Sequence, residues 1–222
     1  FVWRNYQQEW RDGTYAAWKD HKIVAGVAAT GLGKSAFSAG MSGLVAGGSL
    51  DTLVPQCGRA TLFITHRDEL IQQAYADFRN VLPHLNIGIE QGDSRVTASC
   101  DVVIASRDSL IQHRRLKRLG ATAFQQIIVD EWHNYGPEQR RTKAILGFFH
   151  PATRVLGLTA TIDGGDCRHL TQTVAFDYPV WRAVADGWLV RPYQGFCQVD
   201  SLDLAAIVRP DGDYDETKLS DR

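Results

Sequence analysis

The stretch Val27–Ser35, VAATGLGKS, packs two glycines, a lysine and a hydroxyl into consecutive positions from Gly31 to Ser35, directly after an apolar run. Glycines let backbone N–H groups turn inward around an anion with no Cβ in the way. A helix opening near Lys34 aims its positive end at the same point. Thr30, Gly31, Leu32, Gly33, Lys34 and Ser35 therefore form a candidate phosphate cradle. In it Lys34 can reach the β and γ phosphates of a nucleotide, and the Ser35 hydroxyl can ligate Mg²⁺. The full pattern asks for glycine where this chain has Ala28, which is tolerable if residue 28 sits at negative φ. The alternative is an ordinary glycine turn between a strand and a helix.

Nearly a hundred residues later, QQIIVDEWH (125–133) leads an apolar run into two carboxylates. In an open parallel sheet, ligands bind beyond the carboxyl ends of the strands. Asp130 and Glu131 would then lie beside the phosphate cradle. Nucleotide hydrolysis needs two acids with different tasks: Asp130 is assigned to the metal and Glu131 to positioning and polarising water. The alternative is a pair of solvated acids at a strand end. A third stretch, GLTAT (Gly157–Thr161), offers the Thr159 and Thr161 hydroxyls at another strand end. They can relay a hydrogen-bond change from the phosphate site to a moving partner, or simply be a Thr-rich terminus.

These groups need a scaffold that brings distant segments together. Strand candidates are Lys22–Val27, Ala60–Thr65, Ile87–Glu90, Asp101–Ala105, Gln126–Asp130 and Arg154–Leu158. Between them, Arg67–Val81 and Asp108–Leu119 carry apolar residues at helical spacing. Alternating strands and helices predict an α/β fold, with a mostly parallel central sheet and helices on both faces. Runs such as IIVD and DVVIA, apolar on both faces, agree with a sheet covered on both sides. The helix after Lys34 is weak in intrinsic propensity, and its small residues predict close packing.

The 222 residues, 44% hydrophobic and 22% charged, suffice for a substantial core. No apolar run approaches the roughly 18 residues of a membrane span, and no charged leader opens the chain. The chain opens at Phe1 and its only methionine is Met41, which reads as a trimmed or partial sequence. Cys57, Cys100, Cys167 and Cys197 are scattered without a CxxC pair, as expected for free thiols in a reducing, cytoplasmic compartment. A net charge of −1 argues against polyanion binding driven by overall charge, though not against a local basic groove.

AATGLGKS, DEWH and TAT, in this order and spacing, resemble the motifs of superfamily 2 helicases and translocases. Within that superfamily the chain looks most like the DExH branch containing type III restriction-enzyme helicase subunits and DNA-repair helicases, whose first motif commonly starts with Ala. RNYQQEW resembles the adenine-recognition motif of that group, which implies that Arg4 and Gln7 contact the base; a Gln amide can read an adenine edge with both donor and acceptor. ITHRDELIQQAY and DVVIASRDSL resemble the nucleic-acid motifs, implying backbone contact by His66, Arg67, Ser106, Arg107 and Ser109. AVADGWLVRP resembles the segment by which the group leaves its first domain.

The resemblance implies a RecA-like P-loop NTPase domain over residues 1–200, with 201–222 a linker or the start of a second such domain. It implies ATP and Mg²⁺ as cofactors, and Lys34, Asp130, Glu131 and His133 as catalytic residues. Ser35 and Asp130 would serve the metal, and Thr159, Ala160 and Thr161 would couple the site to motion. The implied partners are nucleic acid, DNA ahead of RNA, and a second RecA-like domain of the same parent chain, with no membrane. That second domain would supply an arginine finger worth about 10³–10⁵ in rate, so the isolated chain is expected to be nearly inactive. The rival readings are an RNA helicase and a non-catalytic, nucleotide-gated scaffold.

There are departures from the family pattern. Ile162-Asp163-Gly164-Gly165-Asp166 follows TAT where the family has Pro and Arg, and Trp132 fills a slot usually held by a smaller residue. Nothing resembles the second domain's Q-x-x-G-R-x-x-R motif. The basic runs His113–Arg118 and Arg140–Lys143 are either phosphate contacts or solvated helix faces, and Trp3 and Trp10 are candidate neighbours of the adenine.

Overall fold

Strands rich in Val, Ile and Leu, with no charge inside the apolar runs, are suited to burial on both faces. The computed structural model describes residues 2–48, 59–135, 139–161 and 169–193. The strands β1 (Ile23–Ala28), β2 (Arg59–Thr65), β3 (Ile87–Glu90), β4 (Val102–Ser106), β5 (Phe124–Val129), β6 (Arg154–Thr159) and β7 (Thr173–Tyr178) form one seven-stranded sheet in the order β3-β4-β2-β5-β6-β1-β7. Every pairing between these strands is parallel.

The period of two along each strand sorts its side chains into two cores. Phe63, Ile104, Ile128 and Leu156 enter the core built with α1 (Asn5–Ala17), α2 (Lys34–Ala46) and α3 (Asp68–Val81). Their neighbours Leu62, Val103, Ile127 and Val155 enter the core built with α4 (Arg107–Leu110), α5 (His113–Leu119) and α6 (Gln139–Phe148). The expected layered α/β architecture is present. A short α7 (Val180–Ala185) buries Ala183 in the first core.

Five expected strands match within one or two residues, and β3 has the expected bounds. β7, which pairs along β1, was not among the candidates. The segment Asp108–Leu119 is two helices rather than one, because Gln112 takes an extended conformation (φ −68°, ψ 105°) and restarts the chain at His113. The small residues of α2 do serve close packing: a Cβ on Gly43 would lie 2.7 Å from Leu82 Cδ2, just beyond α3. Cys100 is a buried free thiol. Cys57, Cys167, Cys197, the run Ile162–Asp166 and the segment 201–222 lie outside the described residues, as do the side chains of Arg140 and Arg141. The chain divides into units Phe1–Leu189 and Val190–Arg222. Among the described residues, no helix is long and apolar enough to cross a membrane.

Trp132 is a packing residue. It is fully buried, donates from Nε1 to Thr171 Oγ1 at 2.9 Å, and lies so close over Gly157 that a Cβ there would sit 2.5 Å from the indole. Trp132→Phe removes that hydrogen bond and leaves a gap, and should cost about 1–2 kcal/mol, read as a lower denaturant midpoint at unchanged slope.

Candidate nucleotide site

The turn from β1 to α2 begins with Ala28, which is buried and at negative φ, since Glu131 is the only non-glycine at positive φ among the described residues. Gly31 (φ 90°) and Gly33 (φ 72°) take the left-handed conformations that a Cβ would strain. Gly33 is also the N-cap of α2, so the helix opens with Lys34, as the spacing predicts. Lys34 Nζ donates to the Ala28 carbonyl at 3.2 Å, folding the ammonium back over its own loop. Leu32 points into the core, and its carbonyl accepts from the Tyr6 hydroxyl at 2.7 Å.

β5 ends two strands away from β1, with β6 between them. The chain leaving β1 crosses over β6 and β5 to reach β2, so the connections diverge above this part of the sheet. That is the usual position of a ligand crevice in such sheets. Thr30, Gly31, Gly33, Lys34, Ser35, Asp130 and Glu131 line one cavity of about 490 Å³ there. The two sequence motifs thus converge. Gln73, Asp77 and Asn80 of α3 extend the same cavity. They read in sequence as the solvated face of an amphipathic helix, and nothing in their spacing marks them.

Asp130 is anchored by its N–H to the Ile64 carbonyl at 2.9 Å. Burial, reinforced by the Glu131 charge, pushes its carboxyl up to about 6, against the opposing pull of a backbone hydrogen bond and Lys34. Glu131 sits at φ 49°, a left-handed conformation that costs a non-glycine residue roughly 1–2 kcal/mol. Glu131 Oε2 lies 3.4 Å from His133 Nδ1, which in turn is 3.0 Å from Thr159 Oγ1. The Thr159 hydroxyl donates to the Thr161 carbonyl at 2.5 Å and accepts from the Thr161 N–H at 3.2 Å. A hydroxyl has one proton to give, so His133 Nδ1 must carry the hydrogen in its bond to Thr159. DEWH and TAT, with Ala160 between the threonines, are therefore one hydrogen-bonded unit.

On the other flank, the Gln7 amide is buried, its Oε1 accepts from the Arg4 N–H at 3.1 Å, and a Cβ on Gly33 would lie 3.6 Å from its Nε2. Arg4 bonds the Tyr6 hydroxyl at 3.2 Å and lies 5.1 Å from the Trp188 ring centre. Trp10 is core, stacked between Phe37 at 3.9 Å and Phe176 at 5.1 Å, while Trp3 meets Phe37 edge-on at 5.7 Å. The part played by Trp188 was not read from sequence, since its contacts cross most of the chain.

His66 and Arg67 follow β2, Ser106 ends β4 and Arg107 opens α4, all on the carboxyl rim of the sheet. Burial, then the Arg67 and Arg107 charges, hold the His66 imidazole below its ordinary range, with Glu131 opposing. Ser106 and Ser109 are buried, and Ser109 Oγ accepts from the Gly92 N–H at 3.3 Å.

The donor set suits a magnesium ion bound mainly through phosphate and water. Ser35 and Asp130 line one cavity, and no group of three or more His, Cys, Asp or Glu residues able to hold a metal occurs among the described residues. The desolvated acid also predicts a pH effect. Its carboxyl is raised in the fold from the ordinary 3.8 to about 6, so the native state binds more protons and stability falls as pH rises between those values. Without nucleotide or magnesium, Asp130→Asn should therefore be more stable than wild type at pH 7.5 by about 1–3 kcal/mol, with the gap closing below pH ~4. Denaturant midpoints across pH check this.

Residues 1–164 match the family described as type III restriction enzyme, res subunit. The chain is 29% identical over 170 residues to IRC3 of Saccharomyces cerevisiae, a proposed ATP-dependent helicase, covering 72% of this chain and 24% of that protein. It is 28% identical over 205 residues to irc3 of Schizosaccharomyces pombe, a proposed mitochondrial ATP-dependent helicase, covering 85% and 31%. The chain thus spans about a quarter to a third of the length of these relatives. Its fold is similar to that of a nuclease-deletion mutant of the type ISP restriction-modification enzyme LlaGI, solved with a DNA substrate mimic (TM-score 0.60, 18% identity, 85% of this chain and 21% of that one). It is similar also to a hypothetical ATP-dependent RNA helicase of Sulfolobus tokodaii (0.57, 19%, 79% and 54%) and to the UvsW helicase of bacteriophage T4 (0.57, 15%, 78% and 59%). With its RecA-like fold and a family match over most of its length, the chain belongs to the type III restriction enzyme res-subunit family.

Proposed function

We propose that this chain is the ATP-binding motor domain of a superfamily 2 helicase or translocase acting on DNA. The observation that carries the reading is the convergence of Lys34, Ser35, Asp130 and Glu131 on one cavity at the switch point of the sheet. Lys34 leaves the Ala28 carbonyl for the phosphates, and the backbone of Thr30–Gly33 cradles them. Ser35 and Asp130 hold Mg²⁺, which when bound neutralises phosphate charge. Glu131 orients and polarises the attacking water. Arg4 and Gln7 take the adenine. His133, bonded to Thr159, passes the state of the site to the Thr159–Thr161 segment. A second RecA-like domain supplies the arginine finger, and nucleic acid crosses the rim at His66, Arg67, Ser106 and Arg107.

DNA is preferred on the family match; the RNA-helicase reading has the S. tokodaii likeness in its favour. The buried Cys100 thiol fits a reducing, intracellular compartment. The test is ATP hydrolysis by the full-length protein with single-stranded DNA, duplex DNA or RNA added. DNA stimulation that is lost in Lys34→Ala supports the proposal. Stimulation by RNA alone supports the RNA-helicase reading, and no stimulation supports a nucleotide-gated scaffold.

A further inference from the structure

The basic run His113–Arg118 is divided by the fold. Arg115 is buried and pairs with the fully buried Glu90 at 2.7 Å, and Arg118 pairs with the same carboxylate. Burial alone would raise that carboxyl, but Arg118, the Val96 N–H and Arg115 together hold it below its ordinary value. Arg115 also bonds the Gly92 carbonyl, and Arg118 the Val96 carbonyl at 3.0 Å. Glu90 is thus the post around which two guanidinium groups are fixed. Arg114 bonds Gln112 Oε1 at 3.2 Å, and Arg95 bonds the Gly92 carbonyl at 2.6 Å, both neutral acceptors. The four arginines line a half-open cavity of about 250 Å³. A water occupies about 30 Å³ in the liquid, so the space holds a hydrated phosphate group. Among the described residues Glu90 is the one carboxylate ion-paired with these four cations, and the bonds above leave N–H donors on each guanidinium.

The position of this cavity gives it a ligand. Glu90 ends β3 and is in register with Ala105 of β4, the residue before Ser106, while Ser106 is in register with Thr65 of β2. Glu90 and Gly92, which hold the arginines, therefore lie at the carboxyl end of β3, one strand outward from Ser106–Arg107 and two from His66–Arg67. Adjacent strands are about 4.8 Å apart, so an extended strand lying over β2 and β4 has one such spacing to cross to the carboxyl end of β3. Ser109 fixes the Gly92 end of the turn that carries Arg95.

We propose that Arg95, Arg114, Arg115 and Arg118 form a pocket for a backbone phosphate of the nucleic-acid strand, at the far edge of its track. The inference rests on the nucleic-acid reading above. Arg115 and Arg118 are held by the carboxylate and set the geometry; Arg95 and Arg114 supply the adaptable contacts. Each phosphate contact contributes about 0.7–0.9 to the slope of log affinity against log salt.

The test titrates fluorescent single-stranded DNA and RNA of one sequence against the full chain over a range of salt. The proteins are wild type, the double variant R95Q/R114Q and the control Lys117→Gln, an exposed charge of the same helix that does not line the pocket. The double variant should bind more weakly and lower the slope by about 1.5, with unchanged thermal midpoint, while the control changes the slope by less than half as much. Loss for both polymers identifies a phosphodiester site, and loss for one assigns the track to that polymer. A wild type that binds with the same slope as the double variant overturns this inference alone and leaves an acidic protein segment as the occupant. A wild type that binds neither polymer overturns both readings.

Discussion

Glu131→Gln is expected to leave ATP binding unchanged while lowering the turnover number for nucleic-acid-stimulated hydrolysis by about 10²–10⁴-fold. The two acids at the end of β5 stand in different environments: desolvation and the Glu131 charge push the Asp130 carboxyl up to about 6, whereas Glu131 Oε2 lies 3.4 Å from His133 Nδ1. In the proposed mechanism Glu131, beside the imidazole, is the acid that polarises water, and the desolvated Asp130 is the one that meets the cation. An amide at residue 131 keeps the shape and loses the basicity, so the loss should fall on turnover and not on KM. A variant that lost binding and turnover together would show instead that Glu131 holds the metal.

Lys34→Ala should fail differently. The ammonium is the one side-chain cation lining the cavity among the described residues. Removing it takes charge from the bound phosphates and from the charge that develops as the γ group departs. The expected result is a raised KM for ATP together with a turnover lowered by about 10²–10³-fold. The fold should be unaffected, because Lys34 makes its hydrogen bond to the Ala28 carbonyl from a half-buried position at the mouth of the loop. Equal KM values for the variant and wild type would place the triphosphate elsewhere.

The phosphate loop and the paired acids were readable from sequence because their chemistry demands residue types at fixed local spacing after an apolar strand. The same holds for the layered architecture, where two-sided apolar strands alternate with helices. Long-range pairings were not readable. His133 and Thr159 lie 26 positions apart, and Glu90 and Arg115 lie 25 apart; only the strand–turn–helix path joins each pair. Ser109 is a nucleic-acid candidate through the resemblance of DVVIASRDSL to a family motif. One turn into α4 its hydroxyl faces the Gly92 N–H, a direction that spacing does not reveal. β7 escaped because its edge position leaves Val174 exposed, which weakens the apolar run that marked the inner strands. RNYQQEW stood out only by resemblance, and the links of its Tyr6 to Leu32 and Trp188 depend on β1, β7 and α1 packing together.

The most direct test of the account is a calorimetric titration of the 222-residue chain with ATP, with and without Mg²⁺, in wild type, Lys34→Ala and Asp130→Asn. Mg²⁺ should strengthen ATP binding in the wild type, Asp130→Asn should retain binding but lose the strengthening, and Lys34→Ala should weaken binding in both conditions. Identical Mg²⁺ dependence in wild type and Asp130→Asn, with ATP binding unaltered in Lys34→Ala, would contradict the claim that these residues share one nucleotide.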